Sequence, residues 1–291
     1  MAPRIAIGIA TIGRPAILQA TLAHIAAQTR PPDHLIICPG APADLPNGAV
    51  PSGASILYGR MGLTSQRNVI LSAAAEVDIL LFLDDDFFIA PNYLMEIEAL
   101  FTAHPAIVLA TGLVAADGIT SAGITAGQAN AILQNLHGAE DGGTSRTYNA
   151  YGCNMAIRLA PVRAHALSFD ENLPLYGWLE DVDFSRRLAP YGEIVKSARL
   201  RGVHLGAKAG RNSGLKFGYS QIANPLYLVR RRSLSPLRAL AQIARNLAMN
   251  LWKARSPEPW IDRAGRLAGN RRALADLAHG RLSPQNILTL E

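Results

Sequence analysis

The apolar run Ile79-Leu80-Leu81-Phe82-Leu83 leads directly into Asp84, Asp85 and Asp86, and this junction restricts the fold more than any other segment. Consecutive apolar residues bounded by charge read as a strand buried on both faces, the kind found in parallel sheets covered by helices. Ligands of open α/β sheets gather beyond the carboxyl ends of such strands, so the triplet is aimed at a crevice. Adjacent carboxylates repel one another at neutral pH, and a folded chain keeps them either solvated, as a plain acidic turn, or neutralised by a cation. Hard oxygen donors suit Mg2+ or Mn2+, which take one or two carboxylates and complete their shell with phosphate oxygens and water. The implied ligand is a diphosphate.

The surrounding sequence repeats an alternation of strand and helix. Arg4 to Ala10 reads as a strand, Pro15 to Gln28 as a helix with proline in its first turn, and Leu35 to Cys38 as a second strand. A loop rich in Pro, Gly and Ala from Pro39 to Ala54 precedes a short strand at Ser55 to Tyr58 and a helix at Leu63 to Ala75. After the aspartates, a helix is expected from Pro91 and a strand from Ala106 to Val114. This rhythm predicts an α/β fold with a mostly parallel sheet flanked by helices. Ala115 to Arg146 has weak periodicity and yields no placed element. Tyr151 to Arg158 reads as a strand, Trp178 to Leu188 as a helix and Arg199 to His204 as a late strand.

A chain of 291 residues with 49% hydrophobic content has ample material for one large domain or two small ones. Cys38 and Cys153 stand far apart without metal-type spacing, which excludes a disulfide scaffold and points to reduced thiols in a cytosolic protein. The apolar stretch from Ile5 to Ala10 is too short for a secretory signal, and no run of 18 or more apolar residues exists to span a bilayer. The net charge of +6 conceals a division. Residues 1 to 199 carry 12 Lys and Arg against 18 Asp and Glu, whereas residues 200 to 291 carry 16 against 4. A basic tail on an acidic body is suited to an anionic surface: lipid head groups, phosphorylated substrates or nucleic acid.

A second acidic cluster lies in Trp178-Leu179-Glu180-Asp181-Val182-Asp183-Phe184. On a helix Glu180 and Asp183 share one side while Asp181 projects from another, so one carboxylate can face a pocket while the others serve structure. The helix macrodipole by itself also favours acids at a helix start. The preceding Tyr176 and Trp178 offer flat apolar surface for stacking a sugar ring beside a candidate general base. His204 closes the late strand; it is either a structural histidine or an imidazole completing a metal site. Lys208, Arg211 and Lys216 follow as cations for diphosphate oxygens, or as a solvated basic loop.

Taken together, Thr11 after the first strand, Arg67-Asn68 before the triple aspartate, Glu180-Asp181 and His204 resemble an inverting glycosyltransferase of family 2 with the GT-A fold, over roughly residues 4 to 206. Phe217 to Pro225 is similar to bacterial members that build exopolysaccharides. The resemblance implies a GT-A catalytic domain at 1–215, Rossmann-like in its sheet, and a basic amphipathic helical extension at 216–291. It implies a hexosyl transfer from a nucleotide-sugar donor with Mn2+ or Mg2+ as cofactor. Thr11, Ile12 and Arg14 would line the nucleotide pocket, Arg67 would lie near base or phosphates, and Asp84 and Asp85 would contact ribose or metal. Asp86 would be the direct metal ligand, with Asp84 and His204 added to it. Asp181 would be the catalytic base, and Glu180 its neighbour that orients the acceptor beside Trp178 and Tyr176. One position departs from the pattern: where relatives place an acid after the second strand to read the nucleobase, this chain has Cys38-Pro39-Gly40-Ala41, with Asp44 as a substitute.

In the tail, Leu237, Leu240, Ala244, Leu247 and Leu251 share a helical face, with Arg238, Gln242, Arg245 and Lys253 elsewhere around the cylinder and Trp252 near its end. Together with Arg230-Arg231-Arg232 this face suits an anionic membrane surface, the catalytic domain itself or a homodimer. The expected acceptor is a saccharide on a polyprenyl diphosphate, in surface-polysaccharide assembly, and the expected location is cytoplasmic and peripheral at the inner face of the cell membrane. Two competing readings make different demands. A sugar-phosphate nucleotidylyltransferase should open with a glycine-rich cationic loop, whereas Ala10-Thr11-Ile12-Gly13-Arg14 has one glycine and one cation. A nucleic-acid-binding module would leave both acidic clusters repelling a polyanion, so nucleic acid is not an expected partner.

Overall fold

The computed structural model describes residues 2–47, 50–136, 142–208 and 213–291. The chain runs β1 (Ile5–Thr11), α1 (Pro15–Ala26), β2 (His34–Pro39), β3 (Ser55–Ile56), α2 (Leu63–Ala73), β4 (Ile79–Asp84), β5 (Phe87–Ile89), α3 (Tyr93–Ala103) and β6 (Ile107–Asp117). It continues through α4 (Ala126–Gln134), β7 (Thr144–Arg146), β8 (Asn154–Arg158), α5 (Leu159–Ala164), α6 (Glu180–Leu188), β9 (Glu193–His204), α7 (Gly214–Arg230), α8 (Pro236–Lys253) and α9 (Arg263–Ala278). The strands form one sheet in the order β3-β2-β1-β4-β8-β6-β9-β5, with β7 against β9. The β3-β2-β1-β4 portion is parallel, β6 runs parallel to β9, and β8 joins these two portions by antiparallel pairing on both sides.

Strand alternation divides the core into two layers. On β4, Ile79, Leu81 and Leu83 enter one cluster with Leu18, Leu22 and Ile25 of α1 and Ile97 and Phe101 of α3. Leu80 and Phe82 point the other way, to Ile70 of α2 and to Phe184 and Leu188 of α6. Both faces of this strand are therefore covered, which explains why it reads as an unbroken apolar run rather than an alternating one.

Helix α6 begins at Glu180 rather than Trp178, because Leu179 sits in the left-handed region at φ 73° and stops the helix from starting earlier. The segment after the aspartates forms the short strand β5 before its helix begins. In the region where periodicity is weak, β6 continues to Asp117, α4 follows, and β7 is a short edge strand. Cys38 and Cys153 are both free and buried. No helix among the described residues is long and apolar enough to cross a membrane.

The C-terminal segment folds back on the body. Leu228 of α7, Leu234 of the turn that follows it and Ala239 of α8 share an apolar cluster with Leu173, Leu179 and Val182. Helices α7 and α9 cross closely where each presents a glycine: a side-chain carbon on Gly218 would overlap the Arg266 carbonyl, and one on Gly269 the Leu215 carbonyl. Asn250, fully buried, ties α8 to both by donating to Gln221 at 2.8 Å and Asn270 at 2.9 Å. Only part of the apolar face expected on α8 is buried: Leu247 packs inward, whereas Leu237, Leu240 and Leu251 are exposed. Because the backbone cannot yield at the α7–α9 crossing, Gly269→Ala is expected to lower stability by about 1–3 kcal/mol. A denaturant titration checks this; an unchanged midpoint would mean that the crossing is loose.

Candidate active site

Strand register assembles the site. Asp85 and Asp86 form the turn between β4, which ends at Asp84, and β5. Phe87 pairs with His204 across the antiparallel β5–β9 ladder, and the Asp86 carbonyl accepts from Leu205 N at 2.9 Å. On the other side of β9 the parallel register sets Asp117 beside His204, after irregularities between Gly112 and Leu113 and between Val114 and Ala116. Residues 86, 117 and 204 thereby meet at one corner.

His204 lies between two carboxylates, with Nδ1 2.9 Å from Asp117 Oδ1 and Nε2 3.4 Å from Asp86 Oδ1. The Tyr151 hydroxyl donates to the other Asp117 oxygen at 3.0 Å. Asp84, Asp86 and His204 each offer a donor atom, all within 4.8 Å of one another. The two carboxylates fit the oxygen preference of Mn2+ and Mg2+, the imidazole nitrogen suits Mn2+ better than the harder Mg2+, and Asp117 is placed to fix the ring orientation of a metal-bound histidine. Burial disfavours an ionised Asp86, but His204, Arg14 and the Ala207 N–H outweigh it and hold the carboxyl down at about 2.

Asp85 points elsewhere. It is 0% exposed, accepts from Thr11 Oγ1 at 2.6 Å and meets Arg14 Nη2 at 2.8 Å. Burial pushes it up to about 7 even beside Arg14, with the Asp86 charge adding to the rise. The expectation that Asp85 reaches ribose or metal is therefore corrected: it does not line the cavity, and it anchors Thr11 and Arg14. Arg14 also reaches Asp86 at 3.3 Å, so this guanidinium neutralises the turn from within.

Arg67 requires a second correction. Its side chain is 2% exposed, and its donors are spent on Glu180 Oε1 at 2.5 Å, Asp84 Oδ1 at 3.2 Å and the Gly152 carbonyl at 2.7 Å. The rings of Phe82 and Phe169, themselves packed edge to face, lie 5.4 and 5.5 Å from the cation. It is a buried brace between the two acidic clusters, not a base or phosphate contact. Glu180 is sealed beside it, with burial raising its carboxyl and Arg67 opposing the rise, so it orients Arg67 rather than an acceptor. Asp181, by contrast, is half-buried and accepts from Gly152 N at 3.0 Å and Val182 N at 2.8 Å. Burial raises its pKa, the direction that suits a proton acceptor. Asp183, 1% exposed, pairs with Arg187 at 3.3 Å.

A cavity of about 140 Å³ opens at this corner, lined by Thr11, Ile12, Arg14, Asp84, Asp86 and His204, with Gln66, Met61, Ile119, Leu175 and Tyr176 around them. Trp178 does not line it; the indole is partly buried in the Leu173–Leu228 cluster and meets Phe217 edge-on at 5.7 Å. Asp44 accepts from Gly13 N at 2.7 Å and Ala41 N at 2.8 Å, closing the loop after β2 onto the loop after β1, and does not line the cavity. Lys208 donates to the carbonyls of Gly118 and Ile119, and Arg211 lies outside the described residues. The sequence reading missed Asp117, Tyr151 and Gln66; Asp117 was detectable as an acid at the carboxyl end of a strand, had β6 been carried three residues further.

No family model matches the chain, and no curated protein matches it in sequence. Solved structures do. Mannosyltransferase PcManGT from Pyrobaculum calidifontis, in complex with GDP-Man and Mn2+, superposes with a TM-score of 0.53 at 13% identity, covering 99% of this chain and 86% of that one. S. aureus TarS 1–349 in complex with UDP gives 0.52 at 14% identity, covering 95% and 92%. The chain has a glycosyltransferase fold, GT-A in its sheet and with helices added at its C-terminal end. Within this GT-A scaffold the carboxyl ends of β1, β4, β6 and β9 converge on the cavity, where a crevice of an α/β sheet is expected.

The electrostatics of His204 make a pH-dependent prediction. Burial alone would lower its pKa, but Asp117 and Asp86 raise it from an ordinary 6.5 to about 10. A raised histidine contributes stability that is fully present below the unfolded value and lost as pH rises through the folded one. In the metal-free protein, the melting-temperature gap between wild type and His204→Gln should be widest near pH 6 and close by about pH 10.5. A gap constant across that window would show that the imidazolium is not paired.

Proposed function

We propose that this protein is a divalent-metal-dependent, inverting glycosyltransferase that moves a hexosyl group from a nucleotide-diphosphate sugar to a hydroxyl of a saccharide acceptor. The observation that carries this reading is the Asp84, Asp86 and His204 cluster facing a cavity at the switch point of a GT-A sheet, with Asp181, outside the cavity lining, tied to Asp84 through Gly152 and Arg67. The GDP-Man and Mn2+ bound to one structural neighbour, and the UDP bound to another, support a nucleotide-sugar donor and a metal. Lipid linkage of the acceptor, as in surface-polysaccharide assembly at the cytoplasmic face of the membrane, and membership of family 2 belong to the same reading, supported by motif order and by the basic extension.

In this assignment Asp84, Asp86 and His204 would hold Mn2+ or Mg2+. The bound ion would neutralise charge that accumulates on the diphosphate. Asp117 fixes the His204 ring, and Asp85 holds Thr11 and Arg14 against the cavity wall. The nucleotide lies along Thr11, Ile12 and Gln66, with Tyr176 at the mouth on the acceptor side. Asp181 takes the proton of the acceptor hydroxyl; that oxygen attacks the anomeric carbon from the face opposite the diphosphate. The carbon–oxygen bond to the diphosphate breaks, the diphosphate leaves with the electron pair, and the anomeric configuration inverts. Backbone donors from Gly152 and Val182 orient Asp181 for this step while leaving it lone pairs.

Asp181→Asn should reduce turnover by roughly 10²- to 10⁴-fold with little change in donor affinity. Asp86→Ala should weaken metal and nucleotide binding together. Isothermal titration of GDP and UDP with Mn2+ into wild type and both variants separates the roles. Equal nucleotide binding in all three proteins would defeat the assignment. A product that retains the donor's anomeric configuration would defeat the inverting mechanism.

A further inference from the structure

We propose that the outward face of α8 is a docking surface for an anionic lipid bilayer. At 100° per residue, Leu237, Leu240, Ala244, Ala248, Leu251 and Trp252 fall within an arc of about 120°. The large side chains of this arc are open to solvent: Leu237 is 81% exposed, Leu240 59%, Leu251 60% and Trp252 71%. From Leu237 to Trp252 the stripe is about 22 Å long at 1.5 Å per residue. The opposite face of the same helix already packs, through Ala239, Ile243 and the Asn250 network. The helix therefore has its intramolecular partner, and the second apolar face is surplus to it. Scattered surface leucines need no explanation, but an aligned row ending in tryptophan on a helix docked to the fold does.

Charge selects the occupant. Helix α8 carries Arg238, Arg245 and Lys253 and no acid, with Arg238 and Arg245 along one border of the apolar arc. Arg230 and Arg232 stand exposed at the turn just before it. The acids Glu258, Asp262 and Asp276 of the extension are engaged inside it, by Arg263, by Gly265 N and by Tyr219. A second copy of the chain would bring two such cationic surfaces face to face. An anionic membrane satisfies both parts, with the leucines and Trp252 entering the head-group boundary and the guanidinium groups meeting phosphates. As the site of a lipid-linked acceptor the surface rests on the transferase reading, but lipid binding itself does not depend on it.

The test is sedimentation of the full chain with vesicles of phosphatidylglycerol and phosphatidylcholine, against vesicles of phosphatidylcholine alone. Binding is expected to the anionic vesicles, to weaken as salt is raised, and to fall roughly tenfold or more in Leu240→Glu/Leu251→Glu. Circular dichroism and Mn2+-dependent nucleotide binding of the double variant should match wild type. As a measurement that needs no charge insertion, brominated lipids should quench a fluorescence component that Trp252→Phe removes. Wild-type protein left in the supernatant, or equal binding by a folded double variant, overturns the proposal. So does self-association that the double variant abolishes while its vesicle binding persists, which would assign the face to a second copy. Sugar transfer is not read in any arm, so a failed donor assay and a failed vesicle assay are distinguishable.

Discussion

Carboxylates at the end of a buried strand must be compensated from directions that the strand does not control, and this requirement organises the molecule. Asp84, Asp85 and Asp86 are met by three cations from different parts of the chain, one of which, Arg14, reaches both Asp85 and Asp86. Arg67 comes from α2 to Asp84, Arg14 from the loop after β1 to Asp85, and His204 from the end of β9 to Asp86. Two of these partners are fixed by sheet register: β1 beside β4 carries the Thr11–Arg14 loop, and β5 opposite β9 carries His204. A slip of one residue on β9 would turn the imidazole to the other face of the sheet and leave Asp86 with Arg14 and the Ala207 N–H alone.

Arg67 joins this corner to the second acidic cluster. A guanidinium buried between Asp84 and Glu180 and also donating to the Gly152 carbonyl stabilises several charges with one, and removing it would leave buried carboxylates without compensation. The same Gly152 peptide donates its N–H to Asp181. The Asp84–Asp86–His204 corner and Asp181 are therefore held relative to each other by one side chain of α2 and one peptide group in the turn before β8. Precision of that kind is what a displacement reaction needs between donor and base.

How much of this was legible follows from whether a contact is local in sequence. The α/β pattern and the strand carrying the aspartates are encoded in short-range periodicity, and both were readable. The difference in burial between Asp181 and its neighbours Glu180 and Asp183 was also readable, because helical spacing alone puts Asp181 on a different side from the other two. The three aspartates were not separable, since a turn has no periodicity: only the fold shows that Asp85 faces Thr11 while Asp84 and Asp86 face the cavity. The family resemblance places Arg67 at the ligand, and its burial against Glu180, 113 residues away in sequence, leaves no local signal. Asp117 was hidden by weak periodicity after Val114. The stripe on α8 was found correctly as apolar, but sequence could not tell the packed face from the open one, because the helix has both.

The extension and the site meet at a strained turn. Leu175 at φ 57° and Leu179 at φ 73° flank Gly177, and β-carbon residues persist in that region only where their surroundings over-determine them. Here Leu63 N of α2 donates to the Leu175 carbonyl at 2.8 Å, Asn224 of α7 donates to the Trp178 carbonyl at 2.7 Å, and Leu228 and Leu234 pack on Leu173 and Leu179. The turn carries Tyr176 at the cavity mouth and starts the helix that bears Asp181. Helix α7 therefore belongs to the architecture of the site, and a division of the chain at residue 215 separates two charge characters more than two packing units. Helix α8 follows α7 directly, and α7 is joined to this turn by a hydrogen bond and an apolar cluster rather than by a flexible linker.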